Sequence, residues 1–311
     1  VLKTMDGYIR LSFLTGVTKF GKVSVFSDLN NLDDISMREP YAAICGITEA
    51  ELLTYFDGDI HKLASSLELT YDETRSLLRK RYDGYHFVAN GPGIYNPFSL
   101  LNTFKYMRPE DYWFETGTPS YLVELLKHTH YDLYELANTE TDADVLNSID
   151  STSSNPVPVI YQSGYLTIKD YDSRFGIYKL GFPNLEVEEG FVKYLLPFYT
   201  SVSAPKTPFE IGRFVREVEN GDYDAFFRRL QSFFADTPYE VIAGQKPERD
   251  TELHYQNVLF IVFRLIGLYA KVEYHTSNGR IDLVVQTDRY IYIMEFKLNG
   301  STDDALRQID E

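Results

Sequence analysis

The sequence has little cysteine and no long apolar run. Its one cysteine, Cys45, excludes an internal disulfide framework and is typical of a reducing compartment. No apolar stretch reaches the roughly 18 residues that a membrane helix needs, and no signal peptide is visible. We therefore expect a soluble, cytoplasmic protein that does not act at a membrane.

Positive charge is also scarce. The chain has 30 Lys and Arg against 46 Asp and Glu, which gives a formal net charge of −16. This balance argues against a tight, non-specific grip on a phosphate backbone, although bound dications would offset part of it. With 311 residues and 44% hydrophobic content, the chain is long enough for two or three domains with proper cores.

The C-terminal region has the pattern of a strand meander. Asn278-Gly279 is a strong hairpin signal, and Asp288-Arg289 indicates a second tight turn. The turns separate three predicted strands, which are Lys271–Thr276, Arg280–Thr287 and Tyr290–Lys297. The third strand is almost wholly apolar until its end, as in a buried strand that delivers polar groups to a cleft.

Two helices are predicted on either side of this meander. The segment from Glu252 to Tyr269 has an apolar face at helical spacing, with Glu252 at its start. After the third strand, Ser301 or Thr302 caps a further predicted helix, and this helix carries Gln308.

Charged residues at the strand ends suggest a metal-dependent phosphodiesterase site. Glu295 and Lys297 are two residues apart, so both positions share one face of a strand. Asp282 lies on the neighbouring strand. Two carboxylates with the backbone carbonyl of Phe296 suit Mg²⁺ or Mn²⁺, and a nearby ammonium can orient a water. Singly, each charge is more often a solvated surface group, but their joint order on an apolar meander favours the site.

This order of elements resembles the PD-(D/E)XK nuclease superfamily. The resemblance implies that Glu252, Asp282 and Glu295 bind metal. It also implies that Lys297 positions the nucleophilic water and that Gln308 lies on the helix that follows. On this basis we expect a nucleic acid partner, with DNA favoured over RNA.

The wider chain is similar to bacterial proteins that join such a nuclease domain to an AAA-ATPase-like region. The matching stretches are Leu14–Phe20, Tyr95–Ser99, Gly164–Ile168 and Pro183–Val187. The fold class expected from this resemblance is mixed α/β, with a helical ATPase-associated region followed by a restriction-endonuclease-like core. The expected divisions are the end of an ATPase-like sheet at 1–35, a mainly helical lid region at 36–200, and the nuclease-like domain at 201–311.

ATP is expected to bind only through a segment upstream of Val1. Gly16 to Val23 nearly forms a phosphate-binding loop, but Val23 replaces the hydroxyl that would bind Mg²⁺, and no good helix start follows. Because the chain begins with Val and ends in a helix that has barely begun, we expect a fragment at both ends. The oligomeric state is left open.

Several local elements are predicted elsewhere. Tyr8–Thr15 and Val23–Phe26 are predicted strands, and Asp83-Gly84 is a predicted hairpin turn. Thr48 with Glu51 forms a capping box. The remaining predicted elements include helices at Thr70–Tyr82, Asn184–Tyr199, Phe209–Val218 and Tyr223–Phe234, and a hairpin formed by Tyr165–Asp170 and Ile177–Leu180.

The function predicted first is hydrolysis of a phosphodiester by a metal-activated water, coupled to an ATPase-like module. A regulatory or interaction protein that keeps the nuclease fold without turnover is the alternative from another class. A third possibility is an ATP-driven switch whose phosphate-binding loop lies upstream. Metal-dependent cleavage that is lost on changing Asp282 or Lys297 separates the first from the others.

Overall fold

A computed structural model describes residues 6–16, 33–116, 120–137, 139–147, 155–200, 202–235, 247–267, 271–277 and 280–297. For Glu252, Asp282 and Lys297 it describes the backbone alone. The predicted helix of Gln308, the predicted strand Val23–Phe26 and the Asn278-Gly279 turn lie outside the described residues. Within these ranges, no helix combines the length and apolarity needed to cross a membrane.

The chain divides into two compact units. Unit 1 comprises Val1–Tyr131 and Glu135–Glu188, and unit 2 comprises Asp132–Tyr134 and Glu189–Glu311. Each is described separately below. The division at residues 35 and 200 stays a prediction.

Unit 1 is mainly helical. Its helices are α1 (Glu49–Tyr55), α2 (Asp57–Leu67), α3 (Tyr71–Tyr82), α4 (Pro97–Tyr106), α5 (Ser120–His128), α6 (Ala143–Asn147), α7 (Val157–Gln162) and the start of α8 (Leu185–Tyr199). Short 3-10 turns occupy Asp6–Tyr8, Glu39–Tyr41, Trp113–Thr116 and Leu133–Ala137, the last of which begins in the short segment assigned to unit 2.

Two small antiparallel sheets accompany these helices. Strands β1 (Ile47–Thr48) and β2 (Ile94–Tyr95) pair with each other. The second sheet has the order β3-β5-β4 and contains β3 (Thr139–Thr141), β4 (Thr167–Asp172) and β5 (Ile177–Gly181). The predicted hairpin is therefore confirmed as β4 and β5, and β3 is an edge strand that the sequence analysis missed.

Helix caps in unit 1 follow the sequence closely. Thr48 and Glu51 form the predicted capping box at the start of α1. Asn96 accepts hydrogen bonds from the N–H groups of Phe98 and Ser99 at the start of α4. These helices enclose one apolar core, whose buried members include Leu52, Ile60, Leu63, Leu78, Tyr82, Tyr95, Leu100 and Phe104.

Two predictions in unit 1 are wrong. Residues 9–16 contain no strand, and Leu11 and Phe13 are exposed. An extended segment without a paired neighbour leaves its backbone groups to water, so alternation alone does not make a strand. Asp83-Gly84 is not a hairpin turn either, because Asp83 caps the C-terminus of α3 and Tyr85 pairs only with Ile94.

Among its described residues, unit 2 holds three further helices and a three-stranded meander. The helices are α9 (Thr207–Asn220), α10 (Tyr223–Ala235) and α11 (Pro247–Ile266). The strands are β6 (Lys271–Ser277), β7 (Arg280–Gln286) and β8 (Ile291–Lys297), in the order β6-β7-β8. The three predicted strands are thus confirmed to within one residue at each end.

Helix α11 is the central helix of unit 2. Eight of its residues from Val258 to Ile266 are buried, so this part of the helix is apolar on more than one face. The helix begins at Pro247, a residue that favours the first helical position. Glu252 therefore lies past the first turn, and its predicted place at the helix start is wrong.

Candidate functional site

The register of the meander places two candidate acids directly opposite each other. Strands β7 and β8 are antiparallel, and Asp282 pairs with Glu295 in their Cα register. Directly opposed positions in an antiparallel pair lie on the same face, with Cβ atoms roughly 5 Å apart. The turn between β7 and β8 thus brings Asp282 and Glu295 together, although they are separated along the sequence.

The two faces of this sheet differ in burial. One face is apolar and covered, since Leu283 and Val285 are buried and the ring of Phe296 lies 6.2 Å from that of Phe263 on α11. The opposite face carries Ile291 and Ile293, which are 66% and 58% exposed. Because strand positions alternate, positions 282 and 295 belong to this second face, away from α11.

Glu295 lies near the end of β8, on the second face of the sheet. The residue as a whole is half-buried, while both carboxylate oxygens are shielded from water. Lys297 lies two residues further along β8, opposite Arg280, so its position shares a face with that of Glu295.

The remaining predicted residues lie on other elements or between the two charged positions of β8. Glu252 lies on α11, and Phe296 lies between Glu295 and Lys297 on β8. Gln308 is outside the described residues. The structure therefore brings Asp282, Glu295 and Lys297 onto one sheet face, and it gives no placement for Gln308.

The residues present fit a hard dication. Carboxylate oxygens at two opposed positions are ligands that Mg²⁺ and Mn²⁺ prefer, and the shielding of the Glu295 oxygens suits a site that is closed to bulk water. Among the described side chains, no three of His, Cys, Asp and Glu are grouped as in a metal site. That set does not contain the side chains of Glu252 and Asp282.

A basic cluster on α3 in unit 1 is engaged in ion pairs. The Arg75 guanidinium donates to Glu49 Oε1 at 2.6 Å, and Arg79 lies 3.4 Å from the same oxygen. Tyr95 donates its hydroxyl to the other oxygen of Glu49. Burial raises the pKa of Glu49, but the hydrogen bonds from Arg75 and Tyr95 outweigh it and hold the pKa below its usual value. These contacts support a structural role for the cluster.

Sequence reasoning missed one buried acid in unit 1. Glu186 is fully buried near the start of α8, where Ser99 and Trp113 donate hydrogen bonds to it. Its only signal in the sequence is a charge within the otherwise uncharged Pro183–Val187 stretch. Such a charge is ordinarily read as a surface residue.

Comparison with known proteins identifies the C-terminal segment. Residues 250–311 match the family model of the PD-(D/E)XK nuclease superfamily. The matched segment contains α11 from residue 250 onward, the β6-β7-β8 meander and all the candidate site residues. A nuclease-superfamily domain is therefore present at 250–311. The match does not extend into residues 1–249, so the ATPase-like resemblance stays a prediction.

The whole chain is also similar to a longer bacterial protein. It is 33% identical over 316 residues to the "Uncharacterized protein in vnfD 5'region" of Azotobacter chroococcum mcd 1. The alignment covers 100% of this chain and 58% of the relative, so the chain spans somewhat over half of that protein's length. No solved structure matches the chain significantly.

Proposed function

We propose that residues 250–311 form the catalytic part of a metal-dependent nuclease that hydrolyses phosphodiester bonds in nucleic acid, with DNA as the expected substrate. The observation that carries this proposal is the register of β7 and β8, which opposes Asp282 to Glu295 within the nuclease-superfamily segment. Opposed acids on one sheet face lie close enough to share a metal ion.

Each residue has a separate role in the proposed reaction. Asp282 and Glu295 hold the metal, with Glu252 and the backbone carbonyl of Phe296 as further oxygen donors. Lys297 orients the attacking water and offsets charge that develops on the phosphate. A bound Mg²⁺ or Mn²⁺ would supply Lewis acidity and lower the pKa of a bound water. Gln308 is assigned here through the family resemblance alone.

Coupling to an ATPase-like module is the wider part of the proposal. ATP would bind through sequence upstream of Val1, since Gly16 to Val23 does not complete a phosphate-binding loop. This part rests on the resemblance of residues such as Leu14–Phe20 and Pro183–Val187 to bacterial ATPase-linked nucleases.

One observation favours a second candidate function. A net charge of −16 opposes close approach of a polyanion, which suits a regulatory protein that keeps the fold without turnover. Metal binding separates the two candidates, because a catalytic site must hold its dication while a regulatory remnant need not.

Titration with Mn²⁺ followed by calorimetry tests the assignment of roles. We expect Asp282→Asn to weaken Mn²⁺ binding strongly, because a metal ligand is lost. Lys297→Met is expected to retain binding yet reduce cleavage by roughly 10²-fold or more, since a preorganised electrostatic group is removed. Equal Mn²⁺ affinity in the wild type and Asp282→Asn would overturn the proposed ligand set.

A further inference from the structure

The buried acid Glu186 joins three elements of unit 1. Its Oε1 accepts a hydrogen bond from Ser99 Oγ at 2.8 Å and another from the Trp113 backbone N–H at 2.9 Å. Ser99 lies in the first turn of α4, and Trp113 begins a 3-10 turn. One carboxyl oxygen therefore connects the start of α8 with both of these elements.

The second oxygen of Glu186 is differently placed. Oε2 is buried and has no hydrogen-bond partner among the residues that the structure describes. Burial favours a neutral carboxyl group here, and it outweighs the two hydrogen bonds to Oε1, which favour the ionised form. An ionised carboxylate in the same place would leave a buried charge incompletely solvated.

The charged groups near Glu186 do not offset the cost of burying its ionised carboxylate. Arg81 and Asp111 are the charged neighbours, and they form an ion pair with each other. From α3 and the segment after it, the hydroxyl groups of Tyr82 and Tyr85 face the same region, and burial raises the pKa of both tyrosines so that they stay neutral. Burial chiefly, opposed by the two hydrogen bonds, raises the pKa of Glu186 to about 7.

We propose that Glu186, Ser99 and Trp113 form a proton-operated clasp, which holds the start of α8 against α4 and the Trp113 turn when Glu186 is protonated and releases them when it is ionised. The proton passes to solvent water on release. The clasp lies wholly in unit 1 and is independent of the proposed nuclease function.

The chain contains a built-in reporter for this clasp. Trp113 is the one tryptophan in the sequence. Its ring packs edge-on against two aromatic rings, with centroid distances of 5.1 Å to Phe114 and 4.9 Å to Tyr165. Trp113 is half-buried, and release of its backbone from Glu186 would expose the indole ring further to water. Tryptophan emission and acrylamide quenching of the whole protein then report the state of the clasp directly.

The experiment follows tryptophan emission across about pH 5 to 9, which brackets the raised pKa. In the wild type we expect a red shift and stronger quenching as the pH rises, with a midpoint near the pKa of about 7. Glu186→Gln, which is neutral at every pH, is expected to lose the transition. Glu188→Gln on the same helix and His86→Asn in the loop before β2 are matched controls that should keep it.

A milder variant guards against a folding failure of Glu186→Gln. Ser99→Ala removes one donor to the carboxylate, so the pKa of Glu186 should rise further and the midpoint should move to higher pH. A wild type without a transition, a transition that survives in Glu186→Gln, or an unmoved or lowered midpoint in Ser99→Ala would each overturn the clasp.

Stability offers a second readout. Because the folded-state pKa of Glu186 is raised above its ordinary value, its contribution to stability is complete below about pH 4.5 and is lost as the pH rises through about 7. The thermal midpoint of unit 1 should fall across this window in the wild type. The fall should be smaller in Glu186→Gln, and an equal fall in both proteins would contradict the proposal.

Discussion

At the scale of single residues, Gly84 is a position where backbone conformation and close packing leave no room for a side chain. Its φ is +108°, a value that side-chain-bearing residues rarely adopt. A Cβ atom there would lie 2.3 Å from the carbonyl oxygen of Pro183. The glycine therefore allows the segment after α3 to pass close to the segment before α8.

Gly84→Ala is expected to destabilise unit 1. Backbone strain alone costs about 1 to 3 kcal/mol, and the contact with a backbone oxygen adds to this cost. Gly58→Ala is the matched control, because Gly58 lies inside α2 with open space around its Cα. Alanine there should stabilise by about 0.5 to 1 kcal/mol. Urea unfolding of both variants measures the difference, and equal effects would contradict this account of Gly84.

The functional roles of single residues were the hardest feature to predict from the sequence. Asp282, Glu295 and Lys297 could be selected because acids and a lysine at the end of an apolar strand are unusual. Glu186 could not be selected, since its importance depends on burial among α4, the Trp113 turn and α8. Such burial follows from tertiary packing, which a single sequence does not reveal.

At the scale of elements, local signals predicted most helix and strand bounds well. The Thr48 capping box and the β-branched runs of β7 and β8 are short-range features, and each forms as expected. Elements that depend on a distant partner were predicted poorly. Strand β3 forms because β5 pairs with it, while the strand predicted at Tyr8–Thr15 has no such neighbour in the described chain.

Asn96→Ala tests the cap of α4. The Asn96 side chain satisfies two N–H groups at the start of this helix, so its loss should destabilise unit 1 by about 1 kcal/mol. Asn102→Ala is the control. Asn102 lies within the same helix, and its side-chain amide donates a solvent-exposed hydrogen bond to the carbonyl oxygen of Phe98. Its replacement should change the stability little. Chemical denaturation provides the comparison. A free energy of unfolding of Asn96→Ala equal to that of the wild type would contradict a stabilising cap.

At the scale of the whole molecule, acidity and nuclease chemistry have to be reconciled. The net charge of −16 weakens any non-specific attraction to nucleic acid. A dication held between Asp282 and Glu295 would neutralise the charge of these two carboxylates where the phosphate must approach. Under this account metal is needed for both substrate binding and chemistry, so substrate affinity should fall steeply when metal is chelated.

Metal-dependent cleavage of single- and double-stranded DNA and RNA tests the central claim most directly. The comparison uses the wild type, Asp282→Asn, and Asp288→Asn in the turn between β7 and β8 as a control of equal charge change. We predict cleavage with Mg²⁺ or Mn²⁺ in the wild type and Asp288→Asn, and loss of about 10²-fold or more in Asp282→Asn. Cleavage that Asp282→Asn leaves unchanged, or a wild type that is inert on every substrate with either metal, would contradict the claim.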